Sequence, residues 1–258
     1  MESPPARGLG DSYDPEYNRL NRMRHLGHTR SAYCSDHLLL TPDSFVRAPL
    51  PGMRNATAIV HVNSAAGAAF TQFTAVFEPD GELAPTALQR FVYVLEGKVY
   101  VDKRLLIAGG YAYLPAGHHG VVRATVSSRL AVIEKPYLSL ANLAAPGILF
   151  GEESGVPPHP LEGDQTLEVR SLLPADPAFD FAVNIMTYQP GASLPMVESH
   201  VMEHGLLMLE GGGIYRLGNN WYPVSEGDFI WMAPFCPQWF GALGKKPAKY
   251  LIYKDWNR

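Results

Sequence analysis

A carboxylate and two imidazoles lie close together in the second half of the chain. Residues 196–205 read MVESHVMEHG, which places Glu198, His200 and His204 within seven positions, with a second acid, Glu203, between the histidines. Carboxylate oxygens and imidazole nitrogens are common ligands of divalent metals. These residue types at this spacing therefore indicate a metal site, and the backbone that carries them decides which chemistry it supports.

The letters HVMEH allow two backbone interpretations. On a helix, the H-x-x-E-H pattern places His200 and His204 one turn apart, as in helical zinc peptidases. On a strand, side chains alternate, so every second residue from Glu198 to His204 points to one face. Prolines and glycines flank the stretch on both sides and leave only about nine residues for a helix. We therefore predict a strand that aims Glu198, His200 and His204 into one interior.

The elements around this stretch occur twice. Two runs alternate in strand fashion around a Glu-Gly pair, FVYVLEGKVYV (91–101) and HGLLMLEGGGIYRL (204–217). Each is followed by a glycine that opens a strand ending in proline, AGGYAYLPAGHH (108–119) and EGDFIWMAPFCPQ (226–238). Repetition at a fixed spacing indicates two copies of one unit, and short Val, Ile, Tyr, Phe and Trp runs between glycines and prolines are typical of strands. The chain is predicted to be all-β, with two tandem barrels.

The repeat also predicts the domain organisation. We expect an N-terminal extension over residues 1–40, a first barrel over 41–145, a connecting loop over 146–166 and a second barrel over 167–258.

Charge and hydropathy exclude several classes of partner. The net charge of −4 provides no basic field for nucleic acid. No run approaches the length of a membrane span, and the polar N-terminus is not a signal peptide. The chain as given is thus expected in the cytoplasm, or in the endoplasmic reticulum if a leader was removed. Two cysteines far apart suggest neither a zinc knuckle nor a disulfide framework.

The paired pattern resembles a bicupin, built from two cupin (double-stranded β-helix, jelly-roll) barrels. The first cupin motif is a Pro-Gly turn, two histidines one residue apart, an acid and a glycine, and the second is a glycine, a proline and one more histidine. The matching residues in the second copy are Pro190, Gly191, Glu198, His200, His204 and Gly211, then Gly227, Pro234 and Gln238. The resemblance thus implies four metal ligands: Glu198, His200, His204 and Gln238.

This ligand set favours a particular kind of ion. Two imidazoles with one carboxylate and one amide oxygen, and no thiolate, suit Mn²⁺ or Fe²⁺ with open positions better than a closed structural zinc. The alternative is a polar barrel core without metal. In the first copy, alignment of Gly97 with Gly211 places Ala84, Thr86 and Arg90 at the first-motif positions, and only His119 matches the fourth. We expect the first barrel to lack a metal site.

A closer resemblance is to the (S)-ureidoglycine aminohydrolase family, particularly the plant-type enzymes. It is carried by the E-x-H-x3-H spacing, APFCPQW, the run from residue 204 to the end, TPDSFVRAPLP (41–51) and LLPADPAFDF (172–181), and covers about residues 40–258. It implies Mn²⁺-dependent hydrolysis of (S)-2-ureidoglycine to (S)-ureidoglycolate and ammonia in purine catabolism. It also implies a homo-oligomer larger than a dimer.

The family pattern further implies substrate contacts. These are Glu198, Gln238, Tyr250 and Lys254, with Tyr215 nearby. Lys254, Tyr250 and Glu198 are the catalytic candidates, because the departing amine needs a proton and the acidic substrate needs a cation. Two other functions stay open: another metal-cupin enzyme, such as an Fe²⁺ dioxygenase, and a non-catalytic bicupin that stores or binds sugars.

Overall fold

A computed structural model describes residues 29–256, in which most regular structure is β strand. The strands of the N-terminal half are β1 (Ala32–Tyr33), β2 (His37–Leu40), β3 (Arg47–Ala48), β4 (Met53–Val62), β5 (Thr71–Leu83), β6 (Gln89–Glu96), β7 (Lys98–Val101), β8 (Arg104–Ile107), β9 (Gly110–Leu114), β10 (Val122–Ala124) and β11 (Ser128–Lys135). Those of the C-terminal half are β12 (Leu149–Glu152), β13 (His159–Leu161), β14 (Asp164–Ser171), β15 (Phe181–Tyr188), β16 (His204–Glu210), β17 (Gly212–Leu217), β18 (Asn220–Ser225), β19 (Phe229–Met232), β20 (Gln238–Ala242) and β21 (Ala248–Asp255). Short 3₁₀ helices cover Pro42–Ser44, Ser64–Ala66 and Glu153–Gly155.

The strands form two barrels with the same strand order. In the first barrel the main sheet runs β12-β9-β6-β11-β5, with β4 and then β3 beyond β5, and in the second it runs β2-β19-β16-β21-β15-β14-β13. The smaller strands also correspond, since β10-β7-β8 of the first barrel matches β20-β17-β18 of the second. The prediction of an all-β chain with two tandem barrels is confirmed. None of the helices among the described residues is long and apolar enough to span a membrane.

The two barrels exchange edge strands. β2 precedes the first barrel but pairs with β19 of the second, where Leu39 lies opposite Ile230. β12 precedes the second barrel but pairs with β9 of the first, where Phe150 lies opposite Ala112. The predicted extension (1–40) therefore ends in a strand of the second barrel, and the predicted connecting loop contains β12 and β13. Residues 1–28 of that extension lie outside the described residues.

Strands in the centre of each sheet are buried on both faces. Val92 on β6 and Leu206 on β16 point into the interiors of the first and second barrels. Their neighbours in the sequence, Phe91 and Leu207, lie on the opposite face and pack in a third apolar cluster that joins the barrels. Because side chains alternate along a strand, one strand contributes both to its barrel interior and to the contact between barrels. The inward face of β16 and β21 is therefore a protected surface on which polar groups can be held.

Glycine is required at the same point of both copies. Gly97 and Gly211 follow β6 and β16 with φ angles of 77° and 67°. A Cβ at Gly97 would lie 2.4 Å from Oγ of Ser128, and one at Gly211 would lie 2.4 Å from the carbonyl oxygen of Pro247. Left-handed backbone and close neighbours both exclude a side chain here, which explains the repeated Glu-Gly pair.

Candidate functional site

The segment before β16 forms neither a helix nor the continuous strand that the sequence predicts. Glu198 makes an isolated bridge with Gln238, the first residue of β20, and the N–H of each donates to the carbonyl of the other at 2.8 Å. The chain then bends at Val201 and Met202, and regular strand begins only at His204. The prediction of one strand through 199–203 is wrong.

The irregularity has a local cause. Ser193 pairs with Gly241 and Glu198 pairs with Gln238, so this segment has two more residues between the bridges than β20 does. The excess includes Pro195, which has no N–H to donate to a ladder, and Met196, a residue that is 64% exposed. The bulge restores pairing at Glu198, which places Glu198 directly opposite Gln238.

The structure brings the four predicted metal ligands into one part of the barrel interior. Glu198 and Gln238 form a hydrogen-bonded pair, so their side chains lie on the same face. Nε2 of His200 lies 3.1 Å from Oε2 of Glu198. The rings of His200 and His204 have centroids 5.5 Å apart. Tyr215 donates a hydrogen bond of 3.1 Å to Oε1 of Gln238 and orients that amide.

His204 is prepared to bind through one nitrogen. Its Nδ1 donates to the carbonyl of Glu203 at 2.9 Å, which leaves the lone pair on Nε2. Burial, followed by the charges of Lys254 and His200, lowers the pKa of His204 to about 3, so the ring is neutral. No residue in the described range hydrogen-bonds to Nε2. A neutral imidazole oriented by a carbonyl through its other nitrogen is the usual state of a metal ligand, so these residues fit a metal.

The donor atoms of Glu198, His200 and His204 do not all lie within 4.8 Å of one another. Among the described His, Cys, Asp and Glu side chains, the group whose donor atoms all lie within 4.8 Å of one another is elsewhere, at Asp36, His37 and Cys236. An ion at Glu198, His200 and His204 would need these donors to move closer together.

Lys254 lies beside the ligands on β21. It pairs in register with His204 on one side and with Ala182 on the other, and its side chain is partly buried. Burial lowers the pKa of Lys254, while the carboxylate of Glu198 acts in the opposite direction. Within residues 29–256, its Nζ has no hydrogen bond or ion pair. The ammonium group is therefore available to an anionic ligand in the barrel.

Three tyrosines supply neutral hydroxyl groups to the same interior. Tyr250 lies four residues before Lys254 on the same face of β21, and its Oη lies 2.8 Å from Oη of Tyr188. Burial raises the pKa of Tyr250 and of Tyr215 well above the usual value, so both remain protonated. Sequence reasoning did not select Tyr188. The alternation in VNIMTYQPGA, which places Tyr188 on the same face as Met186, could have revealed it.

Glu203, the second acid of the motif, points away from the ligands. Its Oε1 accepts from the N–H of Ala69 in the first barrel at 2.9 Å, and its Oε2 accepts from Nε1 of Trp231 at 3.0 Å. Burial raises the pKa of this carboxyl group. Glu203 therefore ties the start of β16 to the other barrel, a role that the sequence alone did not indicate.

The first copy holds different groups at the corresponding positions. Arg90 occupies the place of His204 and donates to the carbonyl of Ala84 at 2.9 Å. His119 is exposed. Counting back from the register of Val122 places Gly120, and not His119, at the position of Gln238. Nε2 of His118, in the same loop as His119, lies 3.0 Å from Oδ2 of Asp102 in the turn between β7 and β8.

One large cavity is separate from this site. It has a volume of about 870 Å³ and lies between the barrels, where its lining includes Arg129, Glu153, Arg170 and Lys249. None of the predicted ligands or substrate contacts lines it. Charged side chains in this cavity form ion pairs with each other: Nζ of Lys249, for example, lies 2.7 Å from Oε1 of Glu153. The barrel interior remains the better candidate because His204 and Lys254 pair in register there, and Nε2 of one and Nζ of the other have no hydrogen-bond partner among residues 29–256.

Known proteins similar to this chain agree with the fold and the predicted family. The Cupin domain family model matches residues 184–253. A protein from Pseudomonas aeruginosa, described as a putative glyoxylate-induced protein, has a crystal structure that superposes with a TM-score of 0.80 at 28% identity, covering 91% of this chain and 94% of that one.

Two curated relatives carry one name. The (S)-ureidoglycine aminohydrolase of Arabidopsis thaliana is 41% identical over 239 residues, covering 90% of this chain and 80% of the relative. The protein of the same name from Escherichia coli is 31% identical over 231 residues, covering 85% of this chain and 88% of the relative. Identity of this extent over nearly the whole length confirms the predicted resemblance: the chain belongs to the (S)-ureidoglycine aminohydrolase family.

Proposed function

We propose that this chain is a Mn²⁺-dependent enzyme that hydrolyses (S)-2-ureidoglycine to (S)-ureidoglycolate and ammonia, as a step of purine catabolism. Membership of the family supports the reaction. The observation that carries the assignment to the second barrel is the pairing of Glu198 with Gln238 beside His200, with His204 and Lys254 opposite each other in register.

The donor set supports the choice of metal. Oxygen donors of Glu198 and Gln238 with the imidazoles of His200 and His204 form a sulfur-free, borderline-hard set that suits Mn²⁺. When bound, such an ion supplies Lewis-acid stabilisation and holds an anionic substrate. Tyr215 fixes the amide of Gln238, and the carbonyl of Glu203 fixes the ring of His204, so the chain itself orients two of the four ligands.

The remaining polar groups bind the substrate and move protons. The ammonium group of Lys254, which has no partner within residues 29–256, binds the substrate's carboxylate or protonates the leaving nitrogen. Tyr250, held by Tyr188, donates a hydrogen bond to another polar end of the substrate. Water adds its oxygen to the α-carbon and gives up a proton to Glu198. The carbon–nitrogen bond breaks, and its electron pair leaves with the amine, which takes a proton and departs as ammonia.

The assay uses the purified full chain and ureidoglycine generated from allantoate immediately before use. Ammonia release should require added Mn²⁺ after chelation, should yield (S)-ureidoglycolate, and should be absent in His200→Ala. Oxygen consumption with Fe²⁺ and no ammonia release would support the dioxygenase alternative. Absence of turnover with full metal loading would instead support a non-catalytic bicupin.

We also propose a homo-oligomer larger than a dimer. Around the second barrel, Trp221 (57%), Phe235 (65%) and Leu243 (58%) are exposed apolar side chains, and such surface is often covered by association. Light scattering of the active protein over a dilution series tests this directly. An active monomer at assay concentration would contradict it.

A further inference from the structure

A second group of metal-binding side chains lies outside the candidate catalytic site. Asp36 and His37 stand at the start of β2, and Cys236 lies in the loop between β19 and β20. The donor atoms of the three all lie within 4.8 Å of one another. His37 is 1% exposed and Cys236 is 4% exposed, whereas the carboxylate of Asp36 is on the solvent side with 42% of its side chain exposed.

The surroundings hold these donors in place. Nδ1 of His37 lies 2.8 Å from Oδ1 of Asp36, and Nε2 lies 2.9 Å from the hydroxyl of Tyr222. A metal-binding histidine usually makes such a hydrogen bond with its second nitrogen, which orients the ring. The N–H of Ala233 donates to the carbonyl of Asp36 at 2.9 Å and ties the two segments together.

Room for the Asp36 carboxylate depends on a glycine. A Cβ at Gly218 would lie 2.9 Å from Oδ2 of Asp36, so any larger residue would displace the carboxylate from the cleft. Gly218 has a φ of 58°, which also favours glycine in the turn between β17 and β18. Three parts of the chain therefore lie around this carboxylate: His37 on β2, Cys236 in the loop before β20, and Gly218 in the turn after β17.

The chemistry of this group differs from that of the barrel interior. A thiolate, an imidazole and a carboxylate together are a tetrahedral donor set typical of Zn²⁺, with the fourth position left to water on the open side. A divalent ion would neutralise the thiolate and the carboxylate. We propose that Asp36, His37 and Cys236 form a second metal site for a zinc-class ion, distinct from the sulfur-free catalytic site.

The expected consequence is structural. The ion would join the N-terminal segment of β1 and β2 to the loop that leads into β20, and so close a very long loop in the chain. An ion that binds the folded state and not the unfolded state raises the free energy of unfolding. This inference does not rest on the proposed function, because metal content and stability are measured without substrate.

The test exploits the sulfur ligand. Reduced, metal-free protein is loaded with Co²⁺ and its near-ultraviolet absorption is recorded, since a thiolate–cobalt bond absorbs there and nitrogen or oxygen ligands do not. We expect this band in the parent, in His200→Ala and in the matched control Cys34→Ser, and its loss in Cys236→Ser. Zn²⁺ should raise the Tm of the parent and of Cys34→Ser above the Tm of their own metal-free forms, but should not raise the Tm of Cys236→Ser above that of its own metal-free form.

Two results would overturn the proposal. Absence of the band in the folded parent would show that the cluster is a hydrogen-bonded group without metal affinity. Survival of the band in Cys236→Ser together with its loss in Cys34→Ser would show that a different thiolate binds the ion.

Discussion

Arg90 and Glu134 form a buried ion pair in the first barrel, with Nη2 and Oε1 2.6 Å apart. The two residues are opposite each other on β6 and β11, as His204 and Lys254 are on β16 and β21 of the second barrel. The position of a metal ligand in one copy is thus filled by a fixed cation in the other. A guanidinium group has no lone pair to offer a metal ion, which supports the prediction that the first barrel lacks a metal site.

Replacement of Arg90 by methionine should destabilise the first barrel. Glu134, with only 15% of its side chain exposed, would lose its partner, and breaking a buried pair in this way costs about 3–5 kcal/mol. Urea unfolding measures the loss. The double variant Arg90→Met/Glu134→Leu should recover much of it, because an apolar pair leaves no unpaired charge. Metal content per folded chain should not change in either variant, and a decrease would show that the first barrel contributes to metal binding.

Metal loading should depend on the second barrel. His200→Ala or His204→Ala removes an imidazole and should abolish Mn²⁺ binding and ammonia release. His119→Ala changes an exposed residue and should leave both unchanged. Elemental analysis after desalting provides the measurement. Loss of Mn²⁺ from the His119 variant would contradict the assignment of the ligands.

Lys254 should affect chemistry and not metal binding. Lys254→Met keeps the length of the side chain but removes the ammonium group, and kcat/KM for ureidoglycine should fall about 10²- to 10³-fold, as expected for a charged group that acts in the transition state. The matched control is Lys249→Met on the same strand, which changes a lysine paired with Glu153 in the cleft between the barrels. Equal turnover of the two variants would show that Lys254 has no catalytic role.

The contact between the barrels should depend on one buried lysine. Nζ of Lys135 in the first barrel lies 3.2 Å from Oδ1 of Asp255 and 3.3 Å from Oδ2 of Asp180 in the second. Lys135→Met would leave both carboxylates buried without this cation and should lower the free energy of unfolding by about 3–5 kcal/mol. Lys103→Met, in an exposed turn, should change it by less than about 0.5 kcal/mol. A similar small effect at Lys135 would mean that water or other groups solvate the two carboxylates.

Local patterns in the sequence determined the strands and much of the candidate site. Alternation placed Tyr250 and Lys254 on one face of β21, and the repeated Glu-Gly pairs located Gly97 and Gly211, because strand period and left-handed turns depend on neighbouring residues. The resemblance to a known family added Gln238 to the predicted ligands. The alternation of residues along a strand could not show that Gln238 lies beside Glu198, because the two are 40 residues apart in the sequence.

Only the tertiary structure decided the features that depend on pairing between distant segments. The bridge between Glu198 and Gln238 interrupts the expected strand, since β20 offers a partner at Glu198 while the residues around Pro195 bulge outward. The exchange of β2 and β12 between the barrels leaves no local signal, because an edge strand has the same alternation whichever sheet it joins. Asp36 and Cys236 meet for the same reason: β2 joins the second barrel, and this pairing brings residues from the two ends of the chain within reach of one ion.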